Sequence, residues 1–475
     1  MQALLGSHQP LQSGSLVRPM IQAGRSALDR LLMPADRTQL DSVPGPGEAT
    51  WLAAESWRVL ARPRIENWRG QEIERFALPS GETVSAVYDA DLGSVRVPFD
   101  LDEAYTNFVN EAWRPSVDMR SLSPRQLQVY YSFKRFIPRS WRLASRRLFM
   151  RWTGLPAFPS WPLDDSVHQL VRFYANCLLV AACASESRFR WFWPGDHRAA
   201  LILTHDVESA AGLRLAVELA DIEESLGLRS SFNIVGGDYP IDEGVVRELS
   251  ERGFEVGLHG LHHDRSLFSS RAEFERQLPA LSDVARKLGA EGFRSPSTHR
   301  VVGWLEELPV SYDCSLAHSD PFEPQPGGCC SLWPFFLGDL VELPYTLPQD
   351  HTLFTLLRSR SVEPWLAQVD SIEARFGLIQ SLTHPDPGYL GDRDKRALYL
   401  EFLEAVCARE TLWKPLPREL AAWWRRRDSA DAFDPEFSLG TMCRDGTEPY
   451  AWLEPPARMG LTGRQRELSE DPEEQ

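Results

Sequence analysis

Residues 254–264 read FEVGLHGLHHD, which sets His259 and His263 four positions apart directly after an apolar run. An earlier apolar run ends in Thr204-His205-Asp206-Val207-Glu208. Imidazole nitrogens and carboxylate oxygens are the ligands a zinc-like divalent ion takes. Two histidines at i and i+4 fall on one side of a helical turn, and one carboxylate completes a three-ligand set with a position left open. An open position admits water, so the pattern suits a hydrolytic metal rather than a structural one. Histidine-rich segments also occur as solvated turns or hydrogen-bonded core residues, and clustering argues against that here. Of the 11 histidines, eight lie between positions 205 and 384, most of them just after a predicted strand.

Strand alternation sends Asp206 and Glu208 to one face and His205 to the other, where it is expected to pack. With Glu208, His259 and His263 as metal ligands, Asp206 stands beside the ion as a base. A metal that lowers the pKa of water from about 15.7 to about 7 lets such a carboxylate take the proton at neutral pH. If Glu208 does not reach, Asp206 is the ligand instead and the base position is vacant. Downstream, Arg294 ends a strand in FRSP and is placed to pair with Asp206. His384 ends the last strand in LTHP, where a protonated imidazole would deliver a proton to a leaving amine.

The elements that must position these groups begin at Trp191. Predicted strands at 199–204, 231–235, 254–258, 292–294, 310–313, 340–343 and 378–383 alternate with amphipathic helices. One helix, 271–288, carries Phe274, Leu278, Leu281 and Leu288 along one stripe. Alternation of this kind implies a parallel sheet, and seven strands fit a closed or nearly closed barrel whose chemistry gathers at the carboxyl ends. Upstream, 84–88 and 94–97 read as strands around a turn, 101–113 as a helix, and Asp165 as the cap of another helix. The chain thus divides into a loose Gly/Pro/Ser-rich lead-in (1–48), a mixed α/β N-terminal domain of unknown role (49–190), the barrel (191–428) and a C-terminal extension (429–475) with a charged, disordered end.

With 51 basic against 67 acidic residues the net charge is −16, which excludes non-specific binding to nucleic acid. The seven cysteines are odd in number and include no CxxC pair, so they read as reduced thiols. The N-terminus lacks a secretory signal pattern, and no apolar run approaches the ~20 residues of a membrane span. A cytoplasmic protein is expected.

The order Asp206, His259-x-x-x-His263, Arg294-x-Pro296, Asp313, His384 resembles the NodB-homology polysaccharide deacetylases, carbohydrate esterase family four, over about half the chain. The resemblance implies a distorted seven-stranded β/α barrel and one divalent metal, zinc with cobalt or manganese as alternatives. It makes Asp206 the general base, His259 and His263 ligands, Arg294 the group that orients the base, Asp313 its support and His384 the general acid. The implied reaction removes an N-acetyl or similar small acyl group from an amino sugar of a polysaccharide or its precursor. The family's usual first motif has adjacent aspartates, base then ligand; here Val207 intervenes, which points to Glu208 as ligand. Alternatives are hydrolysis of a formamide or ureide, or a carbohydrate-binding barrel without catalysis.

Three segments complete the reading. Residues 341–353, including Glu342, Gln349 and Asp350, are expected to line a sugar groove, and the Pro/Gly-rich stretch 320–330 to form a loop over the site or a plain connector. Residues 139–152, RSWRLASRRLFMRW, interleave basic and apolar side chains. They suit either an anionic membrane surface or, more simply, a helix docked on its own domain through Leu143, Leu148 and Trp152.

Overall fold

In the computed structural model, residues 25–35, 40–117, 141, 146–148, 154–430, 434–445 and 450–456 are described. At the centre runs the strand Ala199–Val207, AALILTHDV, with every residue buried. Such a run, apolar on both faces up to its last residues, suits a strand covered on both sides. It pairs in parallel with Leu378–Thr383 on one edge and with Ser231–Ile234 on the other. From Ser231–Ile234 the sheet continues through Glu255–Leu258, Gly292–Phe293, Tyr312–Asp313 and Leu340–Glu342, all parallel. The seven predicted strands are therefore present. Two more enlarge the sheet to nine: Phe335–Leu337, antiparallel at the edge, and Leu412–Trp413, parallel to the start of the central strand.

The strand ladder does not close into a ring. Between Leu340–Glu342 and Leu378–Thr383 the gap is bridged by irregular backbone, where Thr346 and Leu347 donate to the Gln380 carbonyl at 3.3 and 3.1 Å. Pro344 and Pro348 flank this bridge, and a residue without an N–H cannot extend a ladder.

Helices return the chain between parallel strands. Ala210–Ser225 is capped by the Ser209 side chain, and Arg271–Leu288 by Ser270 at its start and left-handed Gly289 at its end. The predicted stripe of the latter buries Phe274, Leu281 and Leu288. Asp165 does stand at the N-cap of Ser166–Ala181, but its carboxylate pairs with Arg375 at 2.6 Å and Asp164 accepts from the Ser166 N–H instead.

Upstream, six strands form a second sheet in the order Asp41–Ser42, Ser94–Val97, Thr83–Asp89, Gln71–Ala77, Thr50–Ala53, Arg58–Ala61. Within the stretch expected to be a loose lead-in, residues 25–35 and 40–48 are described. Ser26 caps the helix Ala27–Leu32, which buries Leu28, Leu31 and Leu32, and Asp41–Ser42 joins the sheet. The C-terminal extension folds back too, with Leu439–Cys443 lying between Glu186–Arg190 and Trp452–Glu454. Buried Arg427 fastens these parts by donating to the carbonyls of Arg30, Leu31, Arg190 and Trp191. One apolar core runs through both halves. All seven cysteines are free, and no described helix is long and apolar enough to cross a membrane. Most of 139–152 and the charged end beyond 456 lie outside the described residues.

Glu255 opens its strand with its carboxyl buried, accepting from Tyr312 Oη at 2.6 Å and from the Arg418 N–H at 3.0 Å. Burial pushes this acid up to about 7. Because the folded state holds the proton more tightly than the unfolded chain, Glu255 contributes stability that is full below pH 4.5 and is lost as pH rises through 7. Glu255→Gln, whose amide offers one acceptor to two donors, is expected to lose this pH dependence, which amounts to up to about 3 kcal/mol between pH 4.5 and 8. Urea midpoints of both proteins across that range check this, and parallel profiles would refute it.

Candidate metal and catalytic site

Asp206 is the penultimate residue of the central strand, and its partner in register on the next strand is Asn233. The Asn233 amide donates to Asp206 Oδ1 at 3.0 Å. Asp206 Oδ2 lies 3.9 Å from His259 Nε2 and 4.0 Å from Arg294 Nη1. His205 points the other way, as alternation requires. Its ring is held between Thr383 Oγ1 at 2.7 Å and Glu223 Oε1 at 2.8 Å, behind the sheet.

Glu208 stands one residue past the strand. Its backbone N–H donates to Asp386 Oδ2 at 3.0 Å, and Ser209 donates its hydroxyl to the other Asp386 oxygen. Residue 212 must be glycine for this, since a Cβ there would stand 2.3 Å from the Asp386 carboxylate. So anchored, Glu208 places Oε1 3.0 Å from His263 Nε2 and 3.7 Å from His384 Nε2.

The two histidines meet, but not on a helical turn. Gly260 adopts φ 73°, in the left-handed region, and 259–265 form a loop. A Cβ at 260 would also lie 2.7 Å from Pro296. The loop is fixed by Asp238, which accepts from the His263 N–H at 2.6 Å and contacts His262 Nδ1 at 2.7 Å. The rings of His259 and His263 end 5.3 Å apart.

The donors fit a divalent cation. His259 Nδ1 faces the Arg294 carbonyl at 2.9 Å; a carbonyl only accepts, so that nitrogen carries the proton and Nε2 the lone pair. This Nε2 is buried and has no hydrogen-bond partner. A buried acceptor left unmatched is costly. One ligand atom from each of Glu208, His259 and His263 lies within 4.8 Å of the others. Two imidazoles and a carboxylate around an unmet lone pair are the set that zinc, cobalt or manganese takes.

Charge balance is worked out locally. Burial opposes ionisation of Asp206, but the positive charges of Arg294 and His384 and the hydrogen bond from Asn233 hold the carboxyl below its ordinary range. Glu208 is held down in the same way, against its burial, chiefly by His263. Burial lowers His259 to about 4, keeping its ring neutral. Arg294 is fully buried. Its Nη2 donates to Thr204 Oγ1 at 3.0 Å and, with the Gln380 amide turned to satisfy its neighbours, to the Gln380 oxygen at 2.6 Å. Asp313, next to Phe293 in register on the following strand, accepts from Ser315 Oγ at 2.7 Å and has Glu342 as its own register neighbour. Burial raises both carboxyls, so one of the pair keeps a proton for the other.

His384 has a partner that the sequence reading assigned elsewhere. Asp350, expected to line a sugar groove, is buried, with Oδ1 2.7 Å from His384 Nδ1 and Oδ2 accepting the His384 N–H at 3.0 Å. Glu342 and Gln349 are buried as well, the latter reaching Asp320 and Tyr345. Burial disfavours a charged His384 ring, yet Asp350, with Glu208 and Asp206 behind it, pushes it up to about 10. Its Nδ1–H is committed to Asp350, so Nε2–H faces Glu208. Tyr389 stacks on the ring at 4.7 Å.

The structure thus brings together Asp206, Glu208, His259, His263, Arg294 and His384, with Asp313 one layer behind. Sequence reasoning passed over Asn233 and Asp386, and it gave Asp350 to the sugar groove rather than to His384. Asn233 was detectable as a polar residue at an inward strand position, and Asp386 by its place two residues after His384. The pairing of Asp350 with a histidine 34 positions away left no local signal.

No family model matches the chain, and no curated protein matches it. Among solved structures it is similar to a "putative polysaccharide deacetylase from Mycobacterium smegmatis", with 19% identity and TM-score 0.41 over 51% of this chain and 95% of that one. It is also similar to PuuE allantoinase, with 17% identity and TM-score 0.39 over 50% and 93%. A third is a family 4 carbohydrate esterase from Streptomyces lividans in complex with acetate, with 13% identity and TM-score 0.30 over 46% and 92%. The match spans about half of this chain, and the reading of the site rests on its side chains.

Purified protein loaded with zinc or cobalt is expected to hold one ion per chain. His259→Ala and Glu208→Ala should bind at least about tenfold more weakly, whereas Asp206→Asn should retain it. Elemental analysis after dialysis decides the ligand set, and loss of metal in Asp206→Asn with retention in Glu208→Ala would exchange the two acids.

Proposed function

We propose that this protein is a metal-dependent hydrolase that removes an N-acetyl or similar small acyl group from an amino sugar of a polysaccharide or its precursor. The observation that carries the reading is the placement of a carboxylate and an Asp350-bound imidazole beside the Glu208, His259 and His263 cluster: Asp206 Oδ2 lies 3.9 Å from His259 Nε2, and His384 Nε2 lies 3.7 Å from Glu208 Oε1. Amide hydrolysis needs both groups: a base for the attacking water and an acid for a nitrogen that cannot leave as an anion. A divalent ion held by Glu208, His259 and His263, with zinc favoured by the two imidazoles, would polarise the acyl carbonyl and lower the pKa of water.

The remaining chemistry belongs to this chain. Asn233 and Arg294 hold Asp206 ionised, so its Oδ2 accepts a proton as the water oxygen bonds to the acyl carbon. The C–N bond then breaks, and His384 gives its Nε2 proton to the departing nitrogen. One water is consumed and a carboxylic acid and an amine are released. Asp350 keeps the His384 ring in the orientation and charge state this requires, as a buried carboxylate does for a catalytic imidazole. The Asp313 and Glu342 pair supports Arg294 from behind. We assign this activity to residues 191–428, with 49–190 as an appended unit and 429–475 as an extension.

Acetate release from N-acetylated amino sugars, lost on chelation and restored by metal, is the expected result. Asp206→Asn should lower kcat on the order of 10²- to 10⁴-fold while keeping its metal; full activity in that variant would overturn the base assignment. Asp350→Asn is expected to lower kcat by roughly 10²-fold or more with KM nearly unchanged. A change confined to KM would instead place Asp350 in substrate binding.

A further inference from the structure

Three segments leave the carboxyl ends of the strands on the Arg294 side of the site, and chain from the N-terminal half covers each. Arg300, six residues after Arg294, is locked to Glu111 by a two-point ion pair with both side chains buried. The stretch following Asp313 receives Arg114, which donates to the Pro326 carbonyl at 2.6 Å, and Trp161, whose ring meets Phe322 edge-on at 4.9 Å. The turn following Asp350 is held by Arg147, donating to the Thr355 and Leu356 carbonyls at 2.6 and 3.2 Å. Nearby, Arg146 lies 3.8 Å from Glu323, whose carboxyl feels the charges of His384 and Glu208.

The other side of the site is different. Glu208 and His263 keep 23% and 24% of their side chains exposed, and beyond them His262 and Asp238 are open at 52% and 36%. Asp206 and His259, by contrast, are 3% and 2% exposed. The cluster is reached from one side and walled on the other. The wall is fixed rather than hinged, because opening it would leave the Arg300 or Glu111 charge buried without its partner.

An internal residue of a polymer must continue in both directions from the reacting group, whereas a chain end or a free sugar need continue in one direction or none. We propose that Glu111, Arg114, Arg147 and Trp161 wall off one side of the catalytic face, so that the enzyme acts on a terminal amino sugar or a small precursor and not on internal residues of a chain. This rests on the hydrolase reading above. It gives the N-terminal half a role, restricting substrate length, and places Arg146 and Glu323 where polar substituents of the terminal sugar would arrive.

The test uses the metal-loaded full chain and N-acetylated chito-oligosaccharides from mono- to hexasaccharide, labelled at the reducing end, with products sequenced by mass spectrometry. The expected result is loss of a single acetyl group from a terminal residue, with kcat/KM changing less than about threefold from disaccharide to hexasaccharide, since no remote subsites contribute. Acetyl loss from internal residues, or kcat/KM rising roughly tenfold or more with length, would overturn the proposal while leaving the hydrolase reading intact. Acetate release from none of these substrates, metal being bound, counts against the hydrolase reading, and the wall falls with it. Arg147→Ala and Trp161→Ala should each admit internal deacetylation while monosaccharide turnover stays within about twofold. A folded pair of variants with unaltered product patterns would refute the wall.

Discussion

Asp206 carries a negative charge in a place almost without water, and that single requirement organises the residues around it. Removing a carboxylate from solvent is unfavourable by far more than any one contact returns, so several partners must converge. Asn233 supplies a hydrogen bond from the neighbouring strand, Arg294 a full positive charge, and His384 a second one. Arg294 then has to be satisfied in turn, through Thr204 on the central strand and Gln380 on the strand beside it, whose amide also reaches the Leu343 and Pro344 carbonyls across the gap in the sheet. The seam where the strand ladder fails is thus stitched partly by polar groups that exist to serve the charge.

The positive partners need balancing as well. Glu208 lies within reach of His263 and His384, and Asp350 holds His384 from the other side. Of the three imidazoles at the site, burial keeps His259 neutral while acidic neighbours favour the charged form of His263 and His384. Under the function proposed here, that difference sorts chemically identical side chains into distinct roles. A neutral imidazole offers a lone pair to a cation, and a charged one offers a proton. His263, raised by Glu208 in the absence of an ion, belongs with His259 once a cation displaces that proton.

Much of this was legible because the central strand and its neighbours obey simple periodicities. The run AALILT announces a strand buried on both faces, and alternation along it separates His205 from Asp206 correctly. Seven strands and the capped helix Arg271–Leu288 follow from the same kind of pattern. Where local pattern was silent, distance along the chain was the cause. His384 and Asp350 meet only because the sheet brings adjacent strand ends together, and the Glu111 and Arg300 pair joins two halves that read as separate domains. The spacing of His259 and His263 gave the right neighbours for the wrong reason. A helical turn would place both rings on one face, but Gly260 leaves the helical region and the loop achieves the same juxtaposition under the control of Asp238 and Pro296. Composition also hid the helix Ala27–Leu32 and the strand Asp41–Ser42, since Ser26 caps the former rather than loosening the chain.

The spacing of the first two acids follows from the same geometry. Val207 is still in the strand and points to the apolar side, fully buried, with its carbonyl accepting from Tyr239 Oη at 2.8 Å. An acid at 207 on this backbone would face the helix layer rather than the cluster, where its charge would have no partner. The next inward position is 208, one residue beyond the strand. There the backbone is fixed by Asp386, and the side chain reaches His263 Nε2 at 3.0 Å. Glutamate, one methylene longer than aspartate, spans that distance. Val207 and Glu208 thus divide the turn between them: the first closes the apolar side of the strand, and the second brings its carboxylate to His263.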